Sequence, residues 1–241
     1  MDCTQLENER KCLELELDRP FDDEPYAISG EQLNMLNPYP LYTIGSEREG
    51  ETCKRLYREK DTFRKLDAYS DTTHVYRISV PSDATVYIHY HQFETETYKI
   101  EETYDIKEFI NMAPLQAVQY CVWALKYVNP QTDEICKKAV TYKPLSLEYV
   151  EHQTKEICWI ALNHIYSGYL ALKFVKEQTY DMCMAVVLKN GLALRFVKEQ
   201  THDMCMAVVS KEWYALPYVV DKTPDICSAA IKNNGLARYC I

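Results

Sequence analysis

Five cysteines recur through the second half of the chain, Cys136, Cys158, Cys183, Cys205 and Cys227, in steps of 22, 25, 22 and 22 residues. A thiol can be a nucleophile, a metal ligand or a disulfide partner, and the spacing decides among these. Equivalent positions on stacked helices lie about 8–10 Å apart, too far for a disulfide without backbone movement and too far to share a zinc ion. The column reads instead as small buried hydrophobes. His89 and His91 are the second candidate. Two residues apart on a strand, they share a face and could hold a metal, yet no nearby acid or cysteine completes a ligand set. A solvated strand face accounts for them. His152, His164 and His202 fall at variable repeat positions and read as surface residues. The chain has no Gly-rich phosphate loop, no Gly-x-Ser-x-Gly and no Cys-x-x-Cys. No catalytic, cofactor-binding or metal-binding residue is assigned, and the chain is not expected to be an enzyme.

Binding remains. The residues directly after the five cysteines are Lys137, Trp159, Met184, Met206 and Ser228. They lie away from the centre of the inward helical face, and the middle three are apolar. Trp159, Met184 and Met206 are therefore candidate partner-binding residues on an exposed ridge, since aromatics and Met are enriched at interfaces. The competing reading packs them between neighbouring units or under the N-terminal domain. A second candidate surface is the polar run Lys176-Glu-Gln178 and Lys198-Glu-Gln200, which otherwise reads as an ordinary solvated turn.

These residues are positioned by a repeat. Phe174 to Val187 returns as Phe196 to Val209 with one change, Tyr180 to His202, the mark of a tandem array. A threonine stands four residues before each cysteine and a leucine eleven before it. Threonine is a good N-cap, and Thr223-Pro224-Asp225 adds Pro at the first helical position with an acid in the positive first turn. Apolar residues at the cysteine and at −1, +3 and +4 from it form one face of an α-helix. Asn190-Gly191 and Asn234-Gly235 read as left-handed C-caps. The Leu-Ala-Leu-x-aromatic-Val piece reads as a second, shorter helix, so each unit is a pair of short antiparallel helices that must stack to bury its apolar face.

The expected fold is mostly α: a C-terminal α/α solenoid of short two-helix repeats, preceded by a small α+β N-terminal domain. Residues 1–104 form that small acidic domain and residues 105–241 the array. The array comprises a degenerate N-terminal half unit around Pro114, Ala117 and Val118, five full units and a truncated last unit beginning at Gly235. Residues 4–17 read as a capped helix or an acidic arm, 18–45 as irregular, and 51–67 as a charged surface helix. His74–Val80 and Thr85–His91 read as strands either side of a Pro81–Ala84 turn, with a third strand at Tyr98–Tyr104.

Charge separates the two parts. Residues 1–112 hold 13 Lys/Arg against 24 Asp/Glu, residues 113–241 hold 14 against 12. An acidic front and a near-neutral array argue against nucleic acid as the main partner, because that binding starts with phosphate neutralisation. The first ten residues lack an apolar signal-peptide core, and no run is long enough to span a bilayer. The chain therefore reads as intracellular and soluble, with no membrane partner.

The repeat Leu-Ala-Leu-x-Phe-Val-Lys-Glu-Gln-Thr-x-Asp-Met-Cys-x-Ala-Val-Val resembles the short helical repeats of unknown function in mimivirus-type giant-virus proteins. Trp123-Ala-Leu-Lys-Tyr-Val128 and Gln131-Thr-Asp-Glu-Ile-Cys136 carry the likeness, which covers about residues 115–241. Val75 to Tyr87 looks like a segment of the N-terminal region of such proteins. The resemblance implies a viral protein acting in the infected host cell, in the cytoplasm or the virion, and supplies no activity. The expected function is a non-enzymatic scaffold or adaptor that binds a host or viral protein. Two rivals stand beside it. One is an enzyme with its site in the N-terminal domain and the array as a targeting arm. The other is a virion or assembly component that homo-oligomerises through the C-terminal unit.

Overall fold

The computed structural model describes residues 26–37, 39–46, 55–68, 72–89 and 92–240. They belong to two compact units, Met1–Asn129 and Pro130–Ile241.

The first unit is organised on a seven-stranded sheet. Its strands are β1 (Tyr26–Ser29), β2 (Leu41–Ser46), β3 (Arg55–Arg58), β4 (Thr72–Ser79), β5 (Thr85–His89), β6 (Gln92–Glu94) and β7 (Lys99–Asp105). Their order is β1-β5-β6-β3-β2-β4-β7, and every pairing is antiparallel. Its described helices are α1 (Gly30–Leu36), α2 (Glu59–Leu66), α3 (Ile106–Met112) and α4 (Pro114–Tyr120), with a 3-10 helix at Val122–Tyr127.

A sheet of this size overturns the expectation of a mostly α chain. The reason lies in strand length. β1, β3 and β6 run three or four residues, too short for alternation to stand out from neighbouring Pro, Gly and charge. Of residues 18–45, expected to be irregular, the described part from Tyr26 onward holds β1, α1 and nearly all of β2. Within the stretch 51–67, expected to be a surface helix, Arg55–Arg58 is strand β3, which buries Leu56 and Tyr57, and α2 starts only at Glu59 and buries Phe63 and Leu66. The reading of residues 4–17 falls outside the described residues.

The expected strands on either side of Pro81–Ala84 are present, and Ala84 N–H donates to the Pro81 carbonyl across the turn. They do not pair with each other. β4 lies between β2 and β7, and β5 between β1 and β6. Helix α1 sets this separation: Gly30 and Glu31 N–H donate to Ala84 and Ser82 carbonyls in the turn. A β-carbon on Gly30 would stand 1.8 Å from the Pro81 oxygen, so only glycine permits the approach. Gly30→Ala should therefore lower the stability of this unit by about 1–3 kcal/mol through forced backbone displacement. Denaturant unfolding checks it, and an unchanged midpoint would show that the turn yields freely. Below the turn, Leu33, Leu41, Leu56, Val86, Ile88 and Phe93 join one apolar cluster.

The second unit alternates α-helices with 3-10 helices. The α-helices are α5 (Asp133–Tyr142), α6 (Lys155–Leu162), α7 (Gly168–Ala171), α8 (Tyr180–Val187), α9 (His202–Lys211) and α10 (Pro224–Asn233). Between and after them come 3-10 helices at Pro144–Tyr149, Leu172–Phe174, Gly191–Phe196, Trp213–Tyr218 and Gly235–Cys240. The α/α solenoid expectation thus fails here also, because the second element of each repeat is not an α-helix. Segments of at most six residues that end at an extended valine give too few i→i−4 bonds, and the tighter i→i−3 pattern takes over. Val150, Val175, Val197 and Val219 N–H each donate to the leucine carbonyl three residues earlier. Only the lengthened step, with residues 163–167 as its loop, fits one α turn (α7) before the 3-10 segment.

The apolar columns sit where the periodicity puts them. Leu147, Leu172, Leu194 and Leu216 are each 0% exposed. Thr132, Thr154 and Thr179 accept N-cap bonds from Ile135, Ile157 and Met182 N–H. Thr201 and Thr223 instead donate to Asp203 and Asp225. The Asn-Gly pairs are not left-handed C-caps. Asn190 and Asn234 are extended, with φ −152° in both, and their side chains cap the following 3-10 helix.

Candidate functional site

Where the polar run meets the helix starts, each repeat is joined to the next through one glutamine. Gln178 Nε2 donates to the carbonyl of Leu172 in its own unit (3.0 Å) and of Phe196 in the next (2.8 Å). Its Oε1 accepts from Lys198 N–H (2.9 Å) and from the Cys183 thiol (3.6 Å). Gln153 and Gln200 repeat the pattern one unit to either side. Gln131 makes the bonds to Tyr149, Glu151 and Cys136. In the last repeat Lys222 takes this place, and the Cys227 thiol turns to the Lys222 carbonyl. The lysines tighten the same seam: Lys176 Nζ donates to Val150 and Glu151 carbonyls, Lys198 Nζ to those of Val175 and Lys176. The sequence offers this run as a second candidate surface or a solvated turn, and neither reading contains the seam. An amide side chain at a fixed place in four of the five repeats, Gln131, Gln153, Gln178 and Gln200, is the available signal, because it can donate and accept at once.

Between successive seams lie three grooves in series. The first, about 340 Å³, runs between residues 151–155 and 176–179, with Cys158 and Met182 in its floor. The second, about 330 Å³, runs between residues 176–180 and 198–201 over Cys183. The third, about 180 Å³, lies between residues 198–202 and 220–221 over Cys205 and Ile226. Lys176 borders the first two and Lys198 the last two, so neighbouring grooves share a wall. The Lys176 and Lys198 ammonium groups keep their positive charge but are drawn onto carbonyl oxygens of the seam, while the carboxylates of Glu177, Glu199 and Asp221 recur as exposed groups along the rim.

Direct side-chain bonds also link helix starts: Tyr180 hydroxyl to Asp203 (2.6 Å), His202 Nε2 with Asp225 (2.8 Å), and Lys137 Nζ with Glu156 (2.7 Å). The hydroxyl of Thr201 and then that of Tyr180 hold the Asp203 carboxyl below the usual carboxylate range. Thr223 does so first for Asp225, with His202 adding to it. On the opposite side, Glu212 accepts from Gly191 N–H (2.6 Å) and the Tyr214 hydroxyl (2.7 Å). That bond, with burial, pushes the Tyr214 phenol up to about 12.

The cysteine column is buried, at 3–9% exposure. Burial raises the thiols of Cys136, Cys158, Cys183 and Cys205 above their ordinary value, the reverse of what a nucleophile needs. Maleimide should label these four far more slowly in the native protein than in denaturant at neutral pH. Rapid native labelling of any of them would mean that the seam opens readily.

Trp159, Met184 and Met206 occupy one place on α6, α8 and α9 and are half-buried; none of them lines a groove. The equivalent Lys137 is half-buried and Ser228 exposed. His152 and His202 are exposed and border the first and third grooves. His164 is half-buried in the loop after α6, where its Nδ1 meets the Ser167 hydroxyl. His91 and the His89 side chain fall outside the described residues. Among the described residues no three His, Cys, Asp or Glu side chains gather as metal ligands, and no helix is long and apolar enough to cross a membrane.

The geometry defines a repeat surface with a row of shallow grooves whose rims carry both lysines and a recurring exposed carboxylate. No family model, no curated protein and no solved structure matches the chain.

Proposed function

We propose that the repeat region is a protein-binding scaffold that takes an extended, basic segment of a partner along the row of grooves. One observation carries this: equivalent grooves recur in series, share walls and present free carboxylates at matching places. Neighbouring helices pack about 8–10 Å apart, and an extended chain of the polyproline II type advances about 3.1 Å per residue with three residues per turn. Every third residue of such a segment therefore meets a new groove, and Lys or Arg there faces Glu177, Glu199 or Asp221. The resemblance of the repeat to giant-virus repeats supports a host or viral protein as the partner and the infected cell as its setting.

Panning a displayed library of random extended peptides against the full chain tests the reading. Expected winners carry basic residues at a three-residue period and lose binding to a Glu177→Lys, Glu199→Lys, Asp221→Lys variant. All three sites are exposed, so the substitutions leave the fold intact, as circular dichroism will show. The half-buried row Trp159, Met184 and Met206 is the rival face. Winners that ignore the charge reversals but are lost with Trp159→Asp and Met184→Asp would move the site there. Winners without basic periodicity would overturn the groove reading.

A further inference from the structure

The tetrapeptide Asn-Gly-Leu-Ala occurs twice, at Asn190–Ala193 and Asn234–Ala237, and the two copies share a backbone. Asn190 has φ −152°, ψ 109°, and Asn234 has φ −152°, ψ 123°. Both N–H groups complete the preceding helix, to Val186 and Ala230 carbonyls. Both side chains accept through Oδ1 from the leucine N–H two residues on, at 3.0 and 2.9 Å. Asn-Gly is the pair most open to cyclisation, because glycine puts no side chain beside the attacking nitrogen.

The copies differ in what holds that nitrogen. Gly191 is buried, and its N–H donates to Glu212 Oε2 at 2.6 Å. A β-carbon there would stand 2.7 Å from that oxygen, a measure of how closely the carboxylate covers the peptide. Gly235 is half-buried, its N–H finds no acceptor among the described residues, and the following Leu236 is 55% exposed. Attack requires the glycine N–H to lose its proton. A carboxylate accepting from that N–H opposes the loss, since the anion left behind would face a second negative charge.

We propose that Asn234 is a site of spontaneous deamidation in the folded protein and that Glu212 protects Asn190 from the same reaction. The Gly235 nitrogen attacks Asn234 Cγ, the new N–Cγ bond forms, the Cγ–Nδ2 bond breaks, and ammonia leaves with the proton. Water then opens the succinimide at either carbonyl, giving aspartate or isoaspartate. Either product places a carboxylate in the negative end of α10, and isoaspartate lengthens the backbone where the Gly235–Cys240 helix begins.

The test is peptide mapping of the intact chain after incubation at mildly alkaline pH, with isoaspartate scored by enzymatic methyl transfer. Because the two tetrapeptides are identical, both sites should convert at the same rate in denaturant, which supplies the internal reference. In the native protein Asn234 is expected to convert several-fold faster than Asn190. In Glu212→Ala, with helicity unchanged, Asn190 should rise to the Asn234 rate. Equal native rates, or a faster Asn190, would overturn the assignment of Asn234. An Asn190 rate unmoved by Glu212→Ala would overturn the protective role. Should Glu212→Ala unfold, the native rate ratio in the unaltered chain still decides the main point.

Discussion

Leu194→Arg is expected to unfold the repeat region, while Arg238→Leu changes its stability little. The two positions are equivalent, 44 residues apart, and the repeat pattern alone would treat them alike. Leu194 is 0% exposed inside a 3-10 turn, with its neighbour Ala193 also buried completely. A guanidinium there would be held away from water with no carboxylate built to meet it, at a cost of roughly 5 kcal/mol or more. That approaches the entire stability of an ordinary domain, about 5–15 kcal/mol. Arg238 is exposed, and its Nε donates to the Gly235 carbonyl at 2.8 Å, so leucine gives up one solvent-facing bond. Thermal and urea unfolding of both variants checks the contrast. A cooperative transition for Leu194→Arg near that of the parent would show that the leucine column does not carry the core.

Gln178→Ala is expected to cost about 3 kcal/mol. A hydrogen bond contributes a net 0.5–1.5 kcal/mol, and a partly buried group left without its partner costs more. This substitution orphans Leu172 and Phe196 carbonyls and Lys198 N–H and leaves the Cys183 thiol without its acceptor. A nearby exposed change, Glu177→Ala, should lie within about 0.5 kcal/mol of the parent. Because the bonds of Gln178 cross from one unit to the next, the loss should fall on coupling as well as on total stability. Hydrogen exchange would show it as faster opening at Lys198 and Val197, with α5 and α6 protected as before. A midpoint shift no larger than that of Glu177→Ala would refute the seam.

Much of the second unit was legible because its determinants are local. A threonine four residues before each cysteine and apolar residues on one helical face follow from caps and periodicity alone, and α5, α6, α8, α9 and α10 start where those signals put them. The 3-10 helices were not legible, since Leu-Ala-Leu-x-Phe-Val suits either helix and only its extended exits force the tighter winding. The seam was hidden for a different reason. Gln and Lys look like solvent-facing residues until the next unit supplies carbonyls at the right distance, which is a tertiary fact. In the first unit β4, β5 and β7 announced themselves by alternation. β3, Arg-Leu-Tyr-Arg, did not, because four residues with charge at both ends merge into the charged helix that follows. The pairing order escaped as well: a tight turn at Pro81–Ala84 suggests neighbours, and the docking of Gly30 against that turn parts them.

Amide hydrogen exchange of the full chain with and without a selected basic peptide tests the groove account most directly. Protection is predicted in three separate stretches, residues 151–155, 176–180 and 198–202, appearing together as the peptide is added. Protection confined to the helix faces that carry Trp159, Met184 and Met206, or to residues 26–112, would contradict it.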